Sequence, residues 1–337
     1  MRIAVDAMGG DYGPRVTVEG ALSAAHDFGL EVLLVGVRDL ITEEVRRLGG
    51  PEVGVTIIDA PEAIGMSEGL LSFRRKKRSS IRIGAQLVKE GRADALVSTG
   101  NTAAVVSISQ KTLGALQGVD RPALALLVPT QKGLTLLIDV GANANCRPHH
   151  LEQFAVMGRI FMENVLGLPQ PRIGLMSIGE EKTKGNELTK AAFERLEAAS
   201  LNFIGNVEGK DIYSGKADVI VSDGFTGNVA LKVSEGLVEN MLIMARSEIA
   251  RNLLAKVGFF LMRRHLRRLF RRLDYAQYGG AHLLGVNGVC IIGHGRSNPT
   301  AVRNAVRLAG EYVRNGVTEK IRSEIGRLAR VTEGMKA

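Results

Sequence analysis

Short apolar runs alternate with longer amphipathic segments along the whole chain. The runs IAVD, EVLLVG, VGVTII, DALVS, ALALLVP, LTLLIDVG, RIGLMSIG, FIGNVE, DVIVSD and GVCIIGHG have the length and branched character of buried strands. Between them, residues 15–28, 81–90, 151–165 and 186–199 carry apolar side chains at helical spacing. This alternation predicts an α/β fold: a doubly wound, mainly parallel, Rossmann-like sheet with helices on both faces. No internal repeat, low-complexity tract or long polar linker interrupts it, so one domain over residues 1–337 is expected. The rhythm breaks over residues 229–278, which read as a nearly all-helical insertion protruding from that domain.

Within the insertion, residues 257–274 read VGFFLMRRHLRRLFRRLD. At helical spacing Phe259, Met262, Leu266, Leu269, Phe270 and Leu273 fall on one side, with Phe260 adding to the apolar start. The six arginines between Arg263 and Arg272 spread over the other side. An apolar stripe backed by arginine suits a helix lying on an anionic lipid surface. A helix packed on its own core, a dimer seam and a nucleic-acid patch stay open for the same pattern.

Charge narrows the choice. Lys and Arg number 44 against 35 Asp and Glu, a formal net charge of +9. Nine basic residues and one acidic residue, Glu248, lie between Arg246 and Arg272, so most of the excess belongs to the insertion. FRRKKR, residues 73–78, is a second basic stretch, and the remainder is near neutral, which argues against a general polyanion binder. Two cysteines, Cys146 and Cys290, and an opening strand pattern indicate neither a disulfide framework nor a signal peptide, so a cytoplasmic protein is expected. Glycine or charge interrupts every apolar run well short of the roughly 18 residues of a membrane span, so membrane contact would be peripheral.

In doubly wound sheets ligands bind beyond the carboxyl ends of the strands. Five runs end in small, hydrogen-bonding loops: AMGGD (7–11), TGNTAA (99–104), GANAN (141–145), GEEKTKGNE (179–187) and GFTGN (224–228). Glycines let backbone N–H groups approach an anion, and helix starts add their dipole. One such loop is more often a turn requirement than a ligand site; five at corresponding strand ends could converge on one phosphate. Neither G-x-G-x-x-G nor a P-loop occurs, and H-E-x-x-H and C-x-x-C are absent. His149 and His150 are adjacent, which points their side chains apart and speaks against a shared metal.

Six blocks together carry a family resemblance: AVDAMGGDYGP at the start, FRRKKRSS (73–80), STGNTAA (98–104), IGEEKTKGNELTKAAF (178–193), DGFTGNVALK (223–232) and YGGAHLLGVNGVCIIGHGRS (278–297). In order and over essentially the whole chain they resemble the bacterial acyl-acyl carrier protein:phosphate acyltransferase (PlsX) family. His282 within YGGA-x-LLG and Ala103 after GNT depart from the family pattern, and neither change removes a reactive group. The resemblance implies a dimer whose sheet is like that of isocitrate and isopropylmalate dehydrogenases and phosphate acetyltransferase. It also implies that orthophosphate attacks the thioester of a long-chain acyl-acyl carrier protein. The acyl phosphate formed would feed a membrane glycerol-phosphate acyltransferase at the start of phospholipid synthesis.

Phosphate is itself the nucleophile in such a reaction, so no metal or organic cofactor is needed, only an anion cradle and an oxyanion stabiliser. Lys184, ahead of a helix expected to start near Asn186, is the candidate to neutralise phosphate and the developing oxyanion. Asn186, Asn101, Thr102 and Asn228 are candidate amide and hydroxyl partners, with Gly9, Gly10 and Gly227 giving backbone access. Asp223 would hold Lys184 or a loop amide, or cap a helix. His294 would protonate the leaving thiolate or serve the fold. Cys290 reads as core, and Cys146 would be a nucleophile only under a different mechanism. Arg74, Arg75, Lys76, Lys77 and Arg78 form either a solvated loop or a dock for the acidic carrier protein. Two other functions compete: a nicotinamide-dependent dehydrogenase of related fold, and a nucleic-acid-binding regulator that uses the arginine helix. Neither a metal cluster nor a dinucleotide loop supports the first, and the second leaves the strand-end loops unexplained.

Overall fold

The computed structural model describes residues 1–50, 53–273 and 279–334. Eleven strands form one sheet: β1 (Arg2–Asp6), β2 (Glu31–Gly36), β3 (Val55–Asp59), β4 (Ala95–Ser98), β5 (Ala123–Thr130), β6 (Gly133–Ile138), β7 (Ile173–Met176), β8 (Phe203–Val207), β9 (Val219–Val221), β10 (Ala281–Leu284) and β11 (Val289–Ile292). Their order is β3-β2-β1-β4-β11-β10-β5-β6-β9-β7-β8. The apolar runs predict ten of these strands; β10, four residues between glycine turns, is the addition.

Helices cover both faces, as the alternation predicts. On one face α1 (Arg15–Phe28), α2 (Arg38–Arg47), α6 (Pro148–Val165), α7 (Glu187–Ala198), α10 (Pro299–Arg314) and α11 (Val317–Gly334) bury a core centred on Leu34, Ile138, Phe154 and Phe161. On the other, α3 (Leu70–Arg75), α4 (Ser80–Lys89) and α5 (Thr102–Leu113) close over Leu96, Ile108 and Leu137. The predicted helix at 15–28 has the bounds of α1, and those at 81–90, 151–165 and 186–199 lie within three residues of α4, α6 and α7.

One turn divides the sheet. β5 and β6 form a hairpin in which Thr130 pairs with Gly133, so only Gln131 and Lys132 lie between them. β1–β4 and β11 run one way; β6, β9, β7 and β8 run the other, and β10 is antiparallel to both β5 and β11. Strand-end loops after the two blocks therefore leave opposite ends of the sheet.

The predicted helical insertion contains two helices, α8 (Gly224–Arg251) and α9 (Leu253–Leu273), separated by Asn252. Asn252 Oδ1 accepts the N–H groups of Leu254 and Ala255 and so caps α9. Ala230 and Leu231 pack on the sheet, whereas Val233, Leu237, Val238, Met241, Ile243 and Met244 are exposed, so α8 leaves the core after about two turns.

Candidate active site

The hairpin sorts the five loops into two groups. AMGGD and TGNTAA follow the neighbouring strands β1 and β4, and GHGRS follows β11 beside them. Here Asp6 is buried; Ser98 Oγ donates to its Oδ2 at 2.6 Å and the Met8 N–H to its Oδ1 at 3.2 Å. Burial pushes the Asp6 carboxyl above its usual range against these bonds. Gly9 has no room for a side chain, since a Cβ would lie 2.7 Å from the Gly100 nitrogen, and Gly10 sits at φ +81°. Asn101 caps α5 through the Ala104 N–H, and its Nδ2 donates to the Met66 and Glu68 carbonyls at 2.8 and 3.2 Å. The Asn101 amide thus fastens the segment before α3, while Thr102 beside it is exposed. His294 Nδ1 accepts the Arg296 N–H at 3.1 Å, which puts the neutral ring's proton on Nε2, and burial lowers the ring's pKa.

GANAN, GFTGN and GEEKTKGNE follow β6, β9 and β7, three adjacent strands of the other block. Their organiser is Asp139, a residue the motif reading missed. Its fully buried carboxylate accepts the N–H groups of Leu124, Gly141, Ala142 and Asn143 and the Asn143 side-chain amide, all at 2.8–3.0 Å. An acid at the end of the otherwise apolar run LTLLIDV was the available signal. α8 starts against this loop: the Gly224 N–H donates to the Asn143 carbonyl, and a Cβ on Gly227 would overlap the Asp139 carbonyl oxygen. Asn228, one residue on, lies against Gly141.

Lys184 is on the next strand-end loop. Its loop neighbours are engaged: Glu180 pairs with Lys216 at 2.9 Å and Lys182 with Glu197 at 2.6 Å. Lys184 is exposed and makes no ion pair among the described residues. Asn186 caps α7 through the Thr189 N–H at 2.9 Å, and Asp223 caps α8 through the Thr226 N–H at 2.9 Å and its hydroxyl at 2.7 Å. Asp223 thus has the capping role and makes no ion pair with Lys184. Lys184, with no ion pair among the described residues, thus lies in the loop that leads into α7, and α8 starts after the adjacent strand β9.

β4 and β7 are six strand spacings apart, roughly 29 Å along the sheet at ~4.8 Å each. Gly9, Gly10, Asn101 and Thr102 thus belong to one loop group and Lys184 to the other, at opposite ends of the sheet. α8 joins the two groups. It starts at Asp223, lies near His294 through Lys232 and Glu235, and reaches Arg296 through Glu239 at 2.7 Å. From Gly224 to Glu239 that is about 22 Å of helix.

Two other expectations change. Lys76 is not a free docking charge, because its Nζ bonds Glu68 Oε1 and the Ala63 carbonyl, both at 2.6 Å. With Ser72 it holds the Glu68 carboxyl at about 2. Arg74, Arg75, Lys77 and Arg78 remain exposed. His149 and His150, expected to diverge, both reach Asp120 Oδ2 with Nε2, at 2.8 and 2.6 Å. His150 Nδ1 accepts the Arg147 N–H at 2.9 Å, so His150 Nε2 carries the proton and donates to Asp120. A protonated nitrogen is not a metal ligand, so the cluster serves as a clamp between the loop before β5 and the start of α6. Cys290 is buried in the core as expected, and burial pushes both Cys290 and Cys146 up to about 11, which disarms Cys146 as a nucleophile.

Comparison with known proteins decides the family. Residues 1–320 match the family described as fatty acid synthesis protein. The phosphate acyltransferase of Desulforamulus reducens is 50% identical over 328 residues, covering 96% of this chain and 97% of that protein. The chain belongs to the phosphate acyltransferase family. The family resemblance carried by the six sequence blocks is thereby borne out, and the chain is an acyltransferase. The Pelotomaculum thermopropionicum member is 49% identical over 326 residues, covering 96% of this chain and 95% of that one. The fold is shared more widely. A phosphotransacetylase from Streptococcus pyogenes superimposes with a TM-score of 0.63 at 17% identity, covering 93% of this chain and 94% of that one. A 4-hydroxythreonine-4-phosphate dehydrogenase from Klebsiella pneumoniae gives 0.53 at 16% identity, covering 93% and 99%. At such identities only the architecture is common, and the dehydrogenase reading gains nothing from it.

Proposed function

We propose that this phosphate acyltransferase takes a long-chain acyl group from acyl-acyl carrier protein and gives it to orthophosphate for phospholipid synthesis. A phosphate oxygen attacks the thioester carbonyl, the carbon–sulfur bond breaks, and the carrier leaves as a thiolate. With a pKa near 8.5 that thiolate takes its proton from water. The observation that carries the reading is Lys184, exposed and without an ion pair among the described residues, in the loop just ahead of the capped start of α7. Lys184 neutralises phosphate as it binds and the carbonyl oxygen as charge grows there. Asn228 and Gly227, on the first turn of α8, supply amide and backbone contacts. Mixing the protein with long-chain acyl carrier protein should release free carrier thiol only when phosphate is present. Release that ignores phosphate would mark a thioesterase.

The exposed cations Arg74, Arg75, Lys77 and Arg78 suit an acidic carrier. Their segment is tied to the Asn101 loop, so a carrier docked there lies beside the β1–β4–β11 loop group. Reversing Arg74, Arg75 and Lys77 to Glu should raise the KM for acyl carrier protein about tenfold at low salt, with kcat nearly unchanged. An acyl thioester without the carrier should be unaffected; equal losses on both substrates would place these residues at the reaction centre instead.

The helical insertion supports two contacts. On α8 the exposed Phe225, Val229, Val233, Leu237 and Met241 repeat every four residues, a stripe suited to a second copy of the chain in a homodimer. On α9 Phe259, Phe260, Leu261 and Met262 are all exposed, and the Arg263 guanidinium lies 4.1 Å from the Phe260 ring centre. Exposure rules out burial of these four in the chain's own core. The side chains of Leu266, Leu269 and Phe270 lie outside the described residues. No helix among the described residues is long and apolar enough to cross a membrane. A peripheral seat on an anionic surface would deliver the poorly soluble acyl phosphate to a membrane glycerol-phosphate acyltransferase. Wild type should float with anionic liposomes and not with neutral ones, and Phe259→Glu with Phe260→Glu should end flotation while sparing turnover in solution. A monomeric or insoluble double variant would make α9 part of the dimer seam.

A further inference from the structure

Beneath the loop that carries Lys184, two buried polar atoms have no hydrogen-bond partner among the described residues: Ser177 Oγ at the end of β7 and Asn206 Oδ1 on β8. Leu175 pairs with Asn206, and Ser177 follows Leu175 by two residues, so both side chains lie on one face of the sheet. One offers an O–H donor and the other a carbonyl acceptor. The other half of the Asn206 amide is engaged. Its Nδ2 donates to the Glu181 carbonyl at 3.0 Å, and that same carbonyl accepts the Lys184 N–H, also at 3.0 Å. Asn206 therefore holds the turn from which Lys184 projects. Ser177 Oγ meets the turn at its other end: a Cβ on Gly185 would lie 2.9 Å from it, and Gly185 adopts φ +105°.

Buried donors and acceptors are costly when unpaired, and a complementary pair under a ligand loop has a use if the bound state satisfies it. We propose that Ser177 and Asn206 are positioning residues for Lys184 that couple phosphate binding to closure of the 179–185 turn. When inorganic phosphate is taken by Lys184 and the start of α7, the turn settles onto the sheet. Ser177 Oγ then donates to a carbonyl of the turn, and Asn206 Oδ1 accepts one of its N–H groups. No bond is made or broken; the two side chains set the affinity for phosphate and leave the chemical step to Lys184. The inference rests on the reading that Lys184 holds phosphate.

Steady-state kinetics in phosphate, with thermal unfolding in the presence and absence of inorganic phosphate, test it. Ser177→Ala should raise the KM for phosphate about tenfold while kcat stays within about twofold. Its Tm without phosphate should equal or exceed that of wild type, because an unpaired hydroxyl is gone, and the rise in Tm on adding phosphate should shrink. Asn206→Leu, which also releases the Glu181 carbonyl, should weaken phosphate further. A purely structural role predicts a changed Tm with an unchanged phosphate KM, and that outcome overturns the proposal. Lys184→Ala separates the two levels. If it abolishes the phosphate-dependent rise while Ser177→Ala and Asn206→Leu keep it, the coupling fails and the site stands; if Lys184→Ala keeps the rise, the phosphate lies elsewhere and the site reading itself fails.

Discussion

Lys184→Ala should lower turnover by about two to three powers of ten, the loss expected when one preorganised group is removed from a growing oxyanion. That corresponds to about 2.7–4 kcal/mol at ~1.36 kcal/mol per decade. Turnover carries the loss because the ammonium has no ion pair to release among the described residues, unlike Lys182 or Lys216 nearby. Stability should be unchanged for the same reason, since the side chain is exposed and only its stem lies against Gly179. The backbone N–H of residue 184 still bonds the Glu181 carbonyl after truncation, so the turn keeps its shape. Lys184→Arg keeps the charge but changes the reach and geometry of the donors, and should recover only part of the rate. The check is kcat on a soluble variant whose Tm matches wild type. Near-normal turnover would take Lys184 out of the mechanism.

Periodicity located α1, α4, α6, α7, the helical insertion and all strands but one, because each strand is a short apolar run bounded by glycine or charge. β10 escaped since AHLL is four residues long and embedded in a motif read for its glycines. The direction of the strands is also legible in the sequence. ALALLVP and LTLLIDVG are separated by a few residues, too few for the dozen or more that a parallel crossover needs. That spacing forces a hairpin, and a hairpin puts the loops after β6, β7 and β9 at the other end from those after β1 and β4. The loops of Lys184, Asn186, Asp223, Gly227 and Asn228 consequently leave one end of the sheet, and those of Gly9, Gly10, Asn101, Thr102 and His294 the other. Other features lay beyond sequence reasoning because they depend on contacts between distant segments. The capture of Lys76 by Glu68, the meeting of His149 and His150 on Asp120, and the hold of Asn206 on Glu181 are of this kind.

His282 buries two unpaired ring nitrogens in the core, and His282→Phe should stabilise the protein by an amount that grows as the pH falls. The ring is 1% exposed, lies 4.7 Å from the Phe161 ring and 5.8 Å from the Tyr312 ring, and neither nitrogen has a partner among the described residues. Phenylalanine fills nearly the same volume without two unpaired polar atoms, which is worth about 1–3 kcal/mol at neutral pH. The acid term adds to this. Burial pushes the His282 pKa down to about 3, whereas an unfolded histidine titrates near 6.5. Between those values the unfolded chain binds one more proton than the folded one, so stability is full above about 6.5 and falls by ~1.4 kcal/mol per unit of pH below it. Burial acts on His150 in the same direction, while Asp6 and Asp139, whose carboxyls are raised by burial, are relieved as acid protonates them and act in the opposite one. Those groups are common to wild type and variant and cancel in the difference. From pH 7.5 to pH 5 the advantage of His282→Phe should therefore widen by about 2 kcal/mol. Turnover should hold, because β10 carries none of the loops around Lys184. Denaturant unfolding of both proteins at the two pH values measures the gap. A gap that stays constant with pH, or a variant less stable than wild type, would mean that the folded protein supplies His282 with a hydrogen-bond partner.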